Sequence, residues 1–152
     1  MTLDRLDLMI VSSVTVPGQV RVMVQLRLAE WGMQAIADDV ELIASELTTN
    51  AVERTPIGVG EVGFRLWNEG SGVLLAVWDN SNARPEVKRR LVELSVADIG
   101  ADAAALNGAR EDRLRGWGLP IVEALSTECG VHATPPHGKW VWARVEFNHQ
   151  GA

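Results

Sequence analysis

Hydrophobic spacing along this chain changes period sharply at Thr55-Pro56-Ile57-Gly58. From Val20 up to that break, apolar residues recur at three- and four-residue steps: Val20, Met23, Val24, Leu28 and Trp31, then Ile36, Val40, Ile43, Leu47 and Ala51. This is the repeat of helices that bury one face. After it, Val62, Phe64 and Leu66 alternate with Glu61, Gly63 and Arg65, and Val73 to Trp78 is almost continuously apolar. Those patterns mark a half-buried strand and a more deeply buried one. Asn68-Glu69-Gly70-Ser71-Gly72 between them is turn chemistry, so the two strands form a hairpin. Strands and helices that do not alternate regularly predict an α+β fold, a two-layer sandwich. Its sheet is mixed but mostly antiparallel, and helices cover one face.

The remaining elements follow from the same reading. Leu6, Leu8 and Ile10, followed by Val14 and Val16, predict an early strand that Pro17-Gly18 interrupts. Proline suits the first turn of the helix that comes next, and Gly32 stops that helix. The second helix runs from Ile36 or Asp38 to Arg54, with Asp38, Asp39 and Glu41 near its positive end. From Glu86 to Arg115 the chain is charged and Ala/Gly-rich; Val87 to Leu94 is expected to be helical and the rest mobile. Gly116-Trp117-Gly118 then opens a helix that turns Leu119, Val122 and Leu125 inward and ends at Gly130, with Cys129 a small core residue late in it. Val131 to Thr134 and Lys139 to Phe147 form the last two strands, joined by Pro135-Pro136-His137-Gly138.

Composition excludes several function classes. The 152 residues suit a single domain, and 14 basic against 20 acidic residues give a net charge of −6. That is not the basic footprint of a duplex reader, so no direct nucleic-acid partner is expected. The one cysteine, Cys129, cannot form an internal disulfide, which points to a reducing cytoplasm. The apolar run from Val73 to Trp78 is too short for a bilayer, and Thr2-Leu3-Asp4-Arg5-Leu6-Asp7 lacks a signal core. His132, His137 and His149 lack metal-ligand spacing. Trp140 and Trp142, on one face of the last strand, read as core or partner surface rather than as base-stacking groups.

Three places have residue types that could carry chemistry. Glu46 and Asn50 are four apart on the second helix and share a face beside its apolar stripe. An amide oxygen there suits hydrated Mg²⁺ and a carboxylate suits proton acceptance, although a solvated polar face has the same spacing. Asp79 stands where an apolar strand meets the polar loop Asn80-Ser81-Asn82-Ala83-Arg84-Pro85. It can accept from an exocyclic amine such as that of adenine, or simply end the strand as an Asx turn. Gly116 and Gly118 precede a helix, where glycines admit phosphates to the helix N-terminus or merely form a flexible loop. Neither a Walker loop nor a Rossmann fingerprint is present.

Taken in order, these segments resemble a known family. Glu46-Leu47-Thr48-Thr49-Asn50-Ala51-Val52 resembles the N box of the histidine-kinase-like ATPase (GHKL, Bergerat-fold) superfamily. Val77-Trp78-Asp79-Asn80-Ser81, with Pro85 after it, resembles its first glycine box in the short form of actinobacterial regulators. Gly116-Trp117-Gly118-Leu119-Pro120-Ile121-Val122 resembles the second glycine box, and Gly130-Val131 with Gly138 to Ala143 the closing hairpin. The pattern is closest to single-domain anti-sigma-factor serine/threonine kinases and runs from about Leu6 to Phe147.

The resemblance implies a cytoplasmic regulator that binds ATP and Mg²⁺ and phosphorylates an anti-sigma-factor antagonist. Its partners would be that antagonist or a sigma factor, with a homodimer open. It assigns Glu46 as general base, Asn50 as Mg²⁺ ligand and Asp79 as the carboxylate on the adenine amine. Ser81 falls in the first glycine box, and Gly116, Gly118 and Leu119 sit at the phosphates, under a lid spanning about 86–115. The pattern departs at Ser81 and Ala83, where glycines are usual, at Trp117 between the second-box glycines, and at Trp140, where a threonine is common. Arg54 takes the place of the basic or His residue that often follows the N box. A non-catalytic module that keeps the fold and sequesters a partner is the alternative.

Overall fold

The computed structural model describes residues 4–81 and 119–147. The expected helix over Val87 to Leu94, the lid segment, Gly116, Trp117 and Gly118 lie outside the described residues. In chain order the elements are β1 (Arg5–Val11), α1 (Val16–Glu30), a 3₁₀ turn (Gln34–Ile36), α2 (Ala37–Glu53), β2 (Glu61–Asn68), β3 (Gly72–Asp79), α3 (Pro120–Leu125), β4 (Glu128–Ala133) and β5 (Lys139–Glu146). The strands form one five-stranded sheet in the order β1-β2-β3-β5-β4. Every pairing among the described strands is antiparallel. The α+β class is as expected from the residues, and the sheet is more uniformly antiparallel than anticipated.

The helical layer is built on spacing. Val16, Val20, Val24 and Leu28 stand four apart on α1, so they make one stripe, and all are fully buried. The helix stops where Gly32 takes a left-handed φ of 71°, which only glycine adopts without strain. There Gly32 N–H donates to Ala29 O at 3.2 Å and Met33 N–H to Leu28 O at 2.7 Å. These two bonds satisfy carbonyls the helix would leave unpaired, and they bring Met33 and Leu28 together in the core. α2 packs against α1 on one side and against β3 on the other. Its buried set is therefore wider than a single stripe: Val40, Ile43, Ala44, Leu47, Thr48, Asn50, Ala51 and Val52.

The sheet divides its side chains by parity. Val62, Phe64 and Leu66 of β2, Val73, Leu75 and Val77 of β3, and Val141, Ala143 and Val145 of β5 enter the helix-side core. Each fully buried aliphatic or aromatic side chain of this kind contributes roughly 1.5–3 kcal/mol of transfer free energy. On β5 the even positions, including Trp140 and Trp142, are only half-buried. These two tryptophans belong to the outer sheet face, not to the core between sheet and helices.

Three boundary expectations are corrected. Val16 begins α1 rather than extending β1, and Val14 is 80% exposed. The helix expected to reach Gly130 ends at Leu125, because Ser126 turns extended (φ −99°, ψ 152°) and its hydroxyl donates back to Val122 O at 2.6 Å. Thr127 N–H then donates to Arg144 O at 2.7 Å, which starts the pairing with β5 early. Cys129 is therefore a buried strand residue of β4, not a helical one. Gly130 lies opposite Trp142, where an added Cβ would sit 3.0 Å from the indole.

Candidate functional site

The helix α2 and the ends of β3 and β5 meet around a cavity of about 10 Å³. Its walls are Leu47, Asn50, Ala51, Arg54, Val77, Asp79, Leu119 and Val141. Three of the residues singled out in the sequence, Asn50, Asp79 and Leu119, converge here. Glu46 is half-buried one helical turn before Asn50 and does not line the cavity. Ser81 reaches the site through its backbone, while Gly116 and Gly118 lie outside the described residues.

Asn50 is 7% exposed, so it is not part of a solvated helix face. The wide buried face of α2 draws it inward, and its Nδ2 has no hydrogen-bond partner among the described residues. A buried amide N–H left unpaired costs about 1–3 kcal/mol. Thr48, also buried on α2, avoids that cost by donating to Ala44 O at 2.6 Å. Asn50, by contrast, keeps a buried amide nitrogen with no partner among the described residues.

Asp79 is 3% exposed, at the end of β3 on the core-facing parity of Val73, Leu75 and Val77. Its Oδ1 accepts from Ser81 N–H at 2.9 Å, the Asx-turn contact that ends a strand. Directly opposite in register stands Lys139, the first residue of β5 and itself 5% exposed. Lys139 Nζ donates to Asp79 Oδ1 at 2.8 Å, to Oδ2 at 3.0 Å and to Ser81 O at 3.3 Å. A buried charge pair persists only when such hydrogen bonds replace the lost water. Lys139 was not among the residues singled out in the sequence. The signal was parity: Lys139 precedes Val141, Ala143 and Val145 at two-residue steps, which aims it at the core.

The two ends of the site differ in what they can hold. The Asn50 end suits a polar ligand: an oxygen anion can accept from the orphaned amide, and the amide oxygen can serve a hydrated divalent cation. The Asp79 end does not suit a purine in this state. Its carboxylate already holds Ser81 N–H and the Lys139 ammonium, and a 10 Å³ cavity has room for about one water.

The outer sheet face carries a different surface. Arg65 lies 4.1 Å from the Trp140 ring centre and 5.2 Å from that of Trp67, while Arg144 lies 5.8 Å from that of Trp142. Glu69 first, and then Glu128, hold the Arg144 guanidinium charged above its ordinary range against the opposing effect of burial. A cavity of about 250 Å³ opens there, lined by Arg65, Trp67, Leu74, Ala76, His132, Trp140, Trp142 and Arg144. None of the residues singled out for chemistry lines it. No group of three or more His, Cys, Asp or Glu residues that could hold a metal occurs among the described residues. No described helix is long and apolar enough to cross a membrane.

The family model described as a histidine kinase-like ATPase domain matches residues 15–145. No curated protein matches the chain. Among solved structures, the chain is similar to the crystal structure of the RsbU and RsbW domains of Rv1364c from Mycobacterium tuberculosis, with a TM-score of 0.59 and 19% identity. The match covers 95% of this chain and 32% of that one, so the chain spans about a third of that protein's length. At this identity the likeness is one of fold.

Proposed function

Because the chain belongs to the histidine kinase-like ATPase domain family, we propose that it is an ATP- and Mg²⁺-binding regulator, an anti-sigma-factor-like serine/threonine kinase. Its substrate would be an antagonist protein, and its partners that antagonist or a sigma factor. The observation that carries this reading is the buried amide nitrogen of Asn50, which has no partner among the described residues and shares one cavity with Asp79 and Leu119. A buried site that tolerates such a cost is suited to a polar ligand.

In this reading Asn50 holds Mg²⁺, Asp79 is the acceptor for the adenine amine, and Leu119, with Gly116 and Gly118 before it, stands at the phosphates. ATP, when bound, supplies the phosphoryl group. Glu46, four residues before Asn50 on α2, lies outside the cavity, where it can meet a partner's serine hydroxyl and take its proton. Transfer of this kind needs positioning and charge neutralisation rather than a covalent nucleophile on the kinase. The test is phosphorylation of candidate antagonist proteins with labelled ATP. Labelled serine or threonine on an antagonist supports the kinase; ATP binding without transfer to any of them opposes it.

A second reading, a non-catalytic module that sequesters a partner, is favoured by one observation. The acceptor carboxylate of Asp79 is held by Lys139. A partner complex that forms equally well with and without nucleotide would favour this module.

A further inference from the structure

Resting on the nucleotide-site reading above, we propose that Lys139 is a plug in the base subsite. Its ammonium stands where a nucleobase edge would engage Asp79, so nucleoside enters only when this ion pair opens. Three observations support the assignment. Lys139 and Asp79 are directly opposed on β5 and β3, and their side chains are 6% and 5% exposed, so the pair is a buried cross-strand contact and not a surface ion pair. An ammonium has three N–H donors, and those of Lys139 have three acceptors: Asp79 Oδ1 at 2.8 Å, Asp79 Oδ2 at 3.0 Å and Ser81 O at 3.3 Å. None remains to read a base. The cavity left beside the pair, about 10 Å³, holds about a water and not a ring.

The consequence is quantitative. When only a fraction of molecules has the competent site, apparent affinity falls by that fraction. Opening requires two buried charges to part, so the competent fraction is small. The plug acts on the base and not on the phosphates, because the Lys139 ammonium is spent on Asp79 and Ser81 and the Asn50 amide nitrogen has no hydrogen bond to it among the described residues. Lys139 therefore sets affinity for the nucleoside part of the ligand. It is a specificity-determining residue, not a catalytic one.

The test is calorimetric titration of wild type and Lys139→Ser with Mg²⁺-ATP, with adenosine and with inorganic tripolyphosphate. Serine removes the bulk and the charge. The expected result is a gain of about tenfold or more for ATP and adenosine in the variant, with tripolyphosphate unchanged. Should Lys139→Ser fail to fold, Lys139→Gln keeps a neutral donor on the Asp79 carboxylate, and a smaller gain in the same direction over wild type is expected, again with tripolyphosphate unchanged. If wild type and variant bind ATP equally, nucleotide binding stands and the plug is wrong. If the variant loses binding, Lys139 is a ligand and the plug is wrong. If neither wild type nor a folded Lys139 variant binds any of the three, the nucleotide-site reading falls and the plug with it.

Discussion

Asp79 and Lys139 face each other across β3 and β5 on the core side of the sheet, with Nζ 2.8 Å from Oδ1 and both residues almost completely buried. Such a pair is expensive to break by halves. Lys139→Met leaves an uncompensated buried carboxylate and is expected to lower unfolding stability by about 3–5 kcal/mol. Replacing both, Asp79→Asn with Lys139→Met, is expected to return most of that loss. Urea denaturation of the four proteins in a double-mutant cycle measures the coupling. Simply additive losses would show that the two side chains do not depend on each other.

Asn50 offers the reverse signature. Its Nδ2, without a partner among the described residues, is a cost in the ligand-free protein, so Asn50→Ala is expected to leave the melting temperature unchanged or higher. The same variant is expected to lose the additional stabilisation that Mg²⁺ gives in the presence of ATP. A residue whose removal stabilises the fold while weakening a ligand is held for function. Differential scanning fluorimetry with ATP, with and without Mg²⁺, reads both effects. A drop in stability without ligand would make Asn50 a structural residue.

Glu46→Gln separates binding from chemistry. Glu46 lies off the cavity that Asn50 and Asp79 share, so ATP affinity is expected to stay within about twofold. Transfer to a partner serine is expected to fall by about 10²–10⁴, the usual contribution of a general base. Single-turnover transfer to an antagonist protein is the measurement. Undiminished transfer by Glu46→Gln would remove Glu46 from the chemistry.

Gly72 tests the sheet itself. A Cβ there would run into the Val145 carbonyl oxygen and come within 2.7 Å of Glu146 Cα, both on the β5 backbone. Backbone cannot swing aside as a side chain can, so Gly72→Ala is expected to destabilise by about 1–3 kcal/mol. Gly70→Ala, with nothing near its Cβ but a φ of 86°, is the control for conformational strain alone. Equal losses at the two positions would mean that the close approach at Gly72 is relieved elsewhere.

Much of the fold is visible in hydrophobic period, because a two-layer sandwich asks each element for one buried face. The stripes Val20–Val24–Leu28 and Val40–Ile43–Leu47–Ala51 and the alternation Val62–Phe64–Leu66 are all core. What period misses is a second packing partner. α2 touches both α1 and β3, and this buries Ala44, Thr48 and Asn50 beyond the stripe, so Asn50 reads as surface in sequence and is interior in space. Local hydrogen bonding misleads elsewhere: the Ser126 hydroxyl and Thr127 N–H end α3 and start β4 among residues whose spacing still suits a helix. The most consequential omission is Lys139. A lysine beside a turn reads as solvated unless its parity with Val141, Ala143 and Val145 is followed, and its charge partner Asp79 lies on the neighbouring strand, sixty positions away.

The most direct test of the account is equilibrium binding of Mg²⁺-ATP to wild type and Lys139→Ser under identical conditions. Weak but saturable binding is expected for wild type, with affinity about tenfold or more higher in the variant. At about 100 times its dissociation constant, ATP should then add roughly 2.7 kcal/mol to the stability of either protein. Absence of binding by both, at millimolar nucleotide and with the variant folded, would contradict the claim that this cavity is a nucleotide site.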